Sequence, residues 1–280
     1  VIGARVPDRN GAGIRFELGS LTLRNCAFLN NENGILTSAG GTELIIENSE
    51  FGYNGYGDGQ SHGIYAGPIK KLQVTGSYFH HGKVGHLLKS RASENYIMYN
   101  RLSDEVGGTS SYELEFPNGG AAYVIGNVIQ QSATTSNSTM VSYGMEGYGA
   151  WAVNELNLSH NTIVDDRPSG GIFLAVKAGA QKLLARNNLL VGKGDLNKRP
   201  LLGITQLLLT NNITTDWSSF AQPAQYDYRV KDIARPKLAS VSASSASNGL
   251  SLAPQQEYVH PANTKALTTP ATVVGAIQSR

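Results

Sequence analysis

An eight-residue frame recurs along this chain and constrains its fold more than any other feature. It reads LTLRNCAF (21–28), LIIENSEF (44–51), LQVTGSYF (72–79), NYIMYNRL (95–102), AYVIGNVI (122–129), LNLSHNTI (156–163), KLLARNNL (182–189) and QLLLTNNI (206–213). The eighth place is always apolar and the third usually is. The sixth place reads Cys26, Ser49, Ser77, Asn100, Asn127, Asn161, Asn187 and Asn211, at spacings of 23 to 34 residues. Alternating apolar residues bury one face of a strand. Asparagine tolerates the left-handed backbone that a tight strand-to-strand turn requires. Asparagines stacked one strand spacing apart, ~4.8 Å, hydrogen-bond along the stack. A period of this length without helical spacing predicts a parallel β-helix and not a leucine-rich horseshoe. The eight sixth-place residues are expected to form one column, an asparagine ladder, at a single turn.

A second strand precedes each frame: GIRFE (13–17), GILTS (34–38), HGIYAG (62–67), GHLLKSR (85–91), SYELEF (111–116), MVSYGME (140–146) and GIFLAVK (171–177). Each coil therefore reads strand, loop, strand, Asn turn, short strand, loop. This pattern resembles the right-handed β-helix of the pectate-lyase-like superfamily over about residues 10–215. The resemblance implies that the outer face of the first strands binds polysaccharide and that the loops entering them form a wall. After Pro223 the frame stops and the chain becomes rich in Ala, Ser and Pro. The expectation is all-β: a right-handed parallel β-helix over 1–223 and an irregular C-terminal arm over 224–280 packed along it, with VVGAIQ (273–278) as a closing strand.

One cysteine excludes a disulfide scaffold, and no apolar run is long enough for a membrane span. A net charge of +2 argues against a bulk nucleic-acid binder. The chain starts at Val1 in mid-pattern and reads as processed or truncated, with a secreted, periplasmic or cell-surface location expected. The oligomeric state is left open.

Ionisable residues concentrate on three or four successive coils. The first strands carry Tyr65, with His62 ahead of it; His86, Lys89 and Arg91; Glu113 and Glu115; then Tyr143 and Glu146. Residues two apart share a strand face. Turning Leu114 inward is expected to turn both Glu113 and Glu115 outward, one strand from Lys89 and Arg91. The entering loops add His80 and His81, then Asp104 and Glu105. A groove is expected along Tyr65, Lys89, Arg91, Glu113, Glu115, Tyr143 and Glu146, walled by His80, His81, Asp104 and Glu105. The plain alternative is a salt-bridge ladder on a solvated face, stabilising by ~0.2–1 kcal/mol per pair.

The stretch 89–129 is similar to the catalytic coils of polysaccharide lyase family 6, the chondroitinase B and alginate lyase group. Lys89-Ser90, Asn95, Asn100, Gly107, the 111–115 strand, Gly119 and Val124-Ile125-Gly126-Asn127 fit in order. The resemblance implies that Lys89 is a catalytic base. Two features depart from the family: Tyr112, Glu113 and Glu115 stand where it keeps an arginine, and its acidic calcium ligands are missing from 82–88.

β-Elimination of a uronic acid needs the substrate carboxylate neutralised, a base for the adjacent proton and an acid for the leaving oxygen. Arg91 or Arg101 suits the carboxylate, and Tyr65, Tyr143 or His86 the acid. Arg91 beside Lys89 disfavours the charged lysine, as like charges do. Calcium held by Glu113, Glu115 and Asp104 would be an alternative clamp, hard oxygen donors suiting it; no loop of known spacing commits the chain to a metal. A glycoside hydrolase would use Glu113 and Glu115, with Asp104, Glu105 or Glu146 as possible partners. A non-catalytic glycan-binding or structural role would instead use Tyr53, Tyr56, Tyr148 and Trp151 as sugar platforms.

Overall fold

A computed structural model describes residues 1–196 and 201–280. The chain winds into a parallel β-helix of three sheets. The first, the site sheet, contains seven strands: Ala12–Phe16, Asn33–Thr37, Ile64–Ala66, Leu88–Ser90, Leu114–Phe116, Thr139–Tyr143 and Ile172–Val176. The second has eight strands, running from Gly19–Arg24 to Gln206–Thr210, and the third eight, from Ala27–Leu29 to Ile213–Thr215. Every neighbouring pair within these sheets is parallel, as winding in one direction demands.

Register explains the core. Ile35, Ile64, Leu88, Leu114, Val141 and Leu174 align across the site sheet and are buried. Phe28, Phe51 and Phe79 stack inside the third sheet with ring centroids 5.0 and 4.7 Å apart. That distance is the strand spacing itself, so flat rings at equivalent positions meet face to face.

The asparagine ladder forms at the turn between the second and third sheets. Ser77 N–H donates to Asn100 Oδ1 at 2.9 Å, Asn100 to Asn127 at 2.9 Å and Asn127 to Asn161 at 3.0 Å. Cys26 and Ser49 extend the column, donating to Ser49 Oγ and Ser77 Oγ at 3.1 Å each. Its last two rungs are Asn188 and Asn212, not Asn187 and Asn211: Asn161 N–H donates to Asn188 Oδ1 and Asn188 N–H to Asn212 Oδ1. The doubled asparagines let either residue satisfy the sequence frame. The register of Leu156 with Leu183 and Leu207 selects the second. The left-handed backbone is carried one place before each rung, so it falls on the expected sixth place only at Asn187 and Asn211. Asn25, Asn48, Gly76, Tyr99, Gly126, His160, Asn187 and Asn211 all have φ between 49° and 65°. Turning and stacking are thus done by adjacent residues.

The C-terminal arm lies along the outside of the helix. Phe220–Gln222 pairs antiparallel with Asp227–Val230, and Gln256–Val259 with Asn263–Ala266. Phe220, Tyr228, Val230, Leu238 and Val274 pack on Val128, Val164, Leu189 and Val191 of the third sheet. Leu252 and Ala246 pack on Tyr99, Tyr123, Ile125 and Leu184 beside the second. Val273 makes a single antiparallel bridge to Ala239 in place of a closing strand. The left-handed turn residues hold the arm: Asn187 exchanges side-chain hydrogen bonds with the backbone of Val241, and Tyr99 Oη accepts from Gln255 N–H.

Candidate functional site

The outward positions of the site sheet place Leu36, Tyr65, Lys89, Glu115, Ser142 and Ala175 in one row. Lys89 is the hub. Its Nζ lies 3.1 Å from Glu115 Oε2 and 3.4 Å from Glu146 Oε1. Arg91 grips Glu146 with two bonds, Nη1 to Oε2 at 2.7 Å and Nη2 to Oε1 at 3.0 Å. Its Nε donates to Tyr65 Oη at 2.8 Å, and Nη1 also donates to Asn118 Oδ1. Trp151 borders the group, its indole N–H donating to Arg91 O at 3.1 Å. A second row climbs beside the first. The rings of His62 and His86 stack at 4.5 Å, and His86 lies 5.0 Å from Tyr112.

Burial sets the protonation of this group. Desolvation first, then Lys89, hold His62 down to about 3. Desolvation, His62, Lys89 and Arg91 hold His86 well below the usual histidine range. Both rings are neutral at physiological pH. The His86 backbone N–H donates to His62 Nδ1 at 3.0 Å, so that nitrogen is bare; His86 Nδ1, 3.1 Å from it, then carries a hydrogen. The remaining His86 nitrogen, Nε2, is bare and lies 3.5 Å from Glu115 Oε2. Burial pushes the Glu115 carboxyl up, against the opposing pull of Lys89, whose Nζ faces the same oxygen. Glu146 behaves oppositely: the Arg91 bonds hold its carboxyl below the ordinary value. One carboxyl raised by burial and one lowered by its Arg91 bonds therefore share a single lysine.

Several expected members of the site lie elsewhere. Glu113 does not face outward with Glu115. It is fully buried, in register between Leu87 and Met140 of the core, with neither carboxylate oxygen hydrogen-bonded. It precedes the strand proper, which begins at Leu114. Desolvation first, then Asp104, push its carboxyl well up. Tyr143 points into the core, its Oη donating to Gly120 O at 2.6 Å. Asp104 is buried too. It accepts from Gly82 N–H, Ser110 N–H and Ser110 Oγ, and burial raises it to about 6. These three are structural where the strand pattern suggested a groove.

His80, His81, Arg101 and Glu105 make their own chain of contacts on and beside the third sheet. His80 bonds His81 at 2.8 Å and Glu50 at 3.0 Å, and its ring stacks on Tyr78. Arg101 pairs with Glu105 at 2.7 Å. The calcium clamp drawn from Glu113, Glu115 and Asp104 does not fit: the first is enclosed in the core, the second pairs with Lys89 and the third is spent on loop N–H groups. Among the described residues no set of three or more His, Cys, Asp or Glu side chains converges as a metal site.

Asn118 and Tyr112 were missed as site neighbours. Asn118 sits in a Pro-Asn-Gly-Gly turn, a signal for chain reversal that says nothing about what the side chain reaches.

A family model described as a right-handed beta helix region matches residues 10–212. No curated protein and no solved structure matches the chain.

Proposed function

Because the chain belongs to the right-handed β-helix family, whose fold is common among polysaccharide-degrading enzymes, we propose that its site sheet binds an anionic, uronic-acid-containing polysaccharide and cleaves it by β-elimination. One observation carries this reading: the Arg91–Lys89 pair already holds a carboxylate, that of Glu146, by two-point contact. Glu146 is the exposed member of the cluster, its side chain 46% accessible. Exposed ion pairs contribute only ~0–1 kcal/mol, so a substrate carboxylate can replace it.

The remaining groups support the chemistry. With Glu146 displaced by the substrate, Lys89 faces the substrate proton as the base, held in place by Glu115 at 3.1 Å. Arg91 Nε–H donates to Tyr65 Oη, which leaves the tyrosine proton free for the leaving oxygen. The Lys-Ser similarity to polysaccharide lyase family 6 points the same way. The extracellular or periplasmic location expected from the sequence is part of this proposal.

A hydrolase reading has one observation in its favour, the opposed carboxyls Glu115 and Glu146, the pattern of an acid and its ionised partner. Incubation with uronate polymers and neutral glycans separates the two. Ultraviolet absorbance of an unsaturated product reports elimination; new reducing ends without it report hydrolysis. For a lyase, Lys89→Ala lowers kcat about 10²–10⁴-fold, while Glu146→Ala retains turnover and lowers KM. Loss of turnover in Glu146→Ala with Lys89→Ala still active would overturn the elimination scheme in favour of hydrolysis.

A further inference from the structure

The outward row of the site sheet changes character at Lys89. One residue per coil, it runs Arg15, Leu36, Tyr65, Lys89, Glu115, Ser142 and Ala175. Towards Arg15 the row is open: Tyr65 and Leu36 are half-buried and the Arg15 side chain is 58% accessible. Towards Ala175 it is sealed. Glu115 is 5% exposed, Ser142 0% and Ala175 1%, although alternation with the core residues Leu114, Val141 and Leu174 turns all three outward. The Ser142 hydroxyl is buried with no hydrogen-bond partner, whereas a hydroxyl on an open sheet face meets water.

The segment that follows Thr139–Tyr143 forms the barrier. It is tied to the ends of three site-sheet strands: Glu146 N–H donates to Pro117 O at 2.8 Å, Lys177 Nζ to Met145 O at 3.4 Å and Trp151 Nε1 to Arg91 O at 3.1 Å. Tyr148 pins its middle. Its Oη donates to Lys177 O at 2.7 Å, and its ring fills space that a Cβ at Gly119 or Gly144 would occupy. A chain laid along the row therefore has room only on the Tyr65 side of Lys89. We infer that the site takes the reducing end of a uronate chain and removes the terminal sugar, so that cleavage is exo. The terminal carboxylate replaces Glu146 against Arg91 and Lys89. Lys89 takes the proton beside that carboxylate, and a double bond forms inside the terminal sugar as its C4–O bond breaks. The leaving oxygen takes the proton of Tyr65, one coil or ~4.8 Å towards the open side. The polarity follows from this order, with the carboxylate at the barrier and the departing chain over Tyr65 and Leu36. The inference rests on the elimination reading and adds a direction to it.

The test digests oligomers of several uronic acids, with the reducing end either free or reduced to an alditol, and sizes the products by chromatography with mass detection. The expected result is one unsaturated product, a single sugar, from the earliest times, and cleavage of alditol-ended chains at least tenfold slower. A ladder of product sizes at early times, or equal rates on both kinds of chain, overturns the inference and leaves elimination standing. Calorimetric titration of Tyr65→Phe, which keeps both cations, with short and long chains gives a second readout. One protein per chain at every length is expected; several proteins on one long chain would overturn the inference alone. No unsaturated product from any chain overturns the elimination reading, and the inference with it.

Discussion

Glu113 shows how much one residue's surroundings matter. Its sequence position, two before Glu115, promised a shared face, and its actual place is the core. A carboxyl there stays protonated well above its ordinary value near 4.5. Below that value folded and unfolded chains are both protonated and Glu113 has no effect on the balance. As pH rises above it, the unfolded chain ionises first and folding stability falls. Glu113→Met, matched to the neighbouring Met140, should remove this slope. The melting temperature of the variant, relative to the parent, should rise progressively from acid to neutral pH; a constant difference would show that the carboxyl is not held neutral. His62 runs the other way. Held at about 3 against an ordinary 6.5, it contributes stability that is present above 6.5 and is lost as pH falls towards 3.

At the scale of the element, the asparagine ladder is the principal polar device of the coil. Asn127 donates from its backbone N–H to Asn161 Oδ1, and from Nδ2 to Ile97 O at 2.8 Å and Asn161 Oδ1 at 3.0 Å. Its Oδ1 accepts from both Asn100 nitrogens. All of these groups are buried, so Asn127→Ala leaves several unsatisfied at ~1–3 kcal/mol each. The expected loss is about 3 kcal/mol or more in urea denaturation. Asn212→Ala, at the half-buried end of the column, should cost about 1 kcal/mol. Equal losses would mean that the ladder is not cooperative with its depth in the stack. The repeat made the column legible in the sequence, but the doubled asparagines hid its last two rungs. Side-chain identity cannot separate two adjacent asparagines; only the register of the preceding leucines does.

For the whole molecule, the arm decides cooperativity. Solenoids can unfold from an end because each coil contacts only its neighbours. Here the arm spans several coils, with Ser159 Oγ bonded to Leu252 O, Ala276 N–H to Thr162 Oγ1 and Gly275 N–H to Asn187 O. Phe220 is fully buried between arm and third sheet. Phe220→Ala should therefore destabilise the molecule by ~3–5 kcal/mol and shift one common transition seen by calorimetry. An early, separate transition in that variant would show that the arm melts independently of the helix.

The sequence by itself determined the coil. Strand periodicity, the turn residues and the polar sixth place are local properties, and each coil repeats the one before it. It also determined that Lys89, Arg91 and Glu115 meet on one sheet face with Tyr65, because parallel stacking carries strand order directly into space. Tertiary structure alone decided the rest. Glu113 is buried just ahead of its strand, and Tyr143 points inward because its register with Phe116 puts it on the same face as Val141. Glu146, expected in the groove as a strand residue, reaches Arg91 from beyond the end of its strand at Tyr143. Tyr226, Tyr258 and His260 joined Arg101 because the arm folds back over the third sheet, and the arm carries no repeat from which its path could be read. A repeating chain writes its neighbours into its period; a contact made by a segment outside that period is set by packing, and by nothing local.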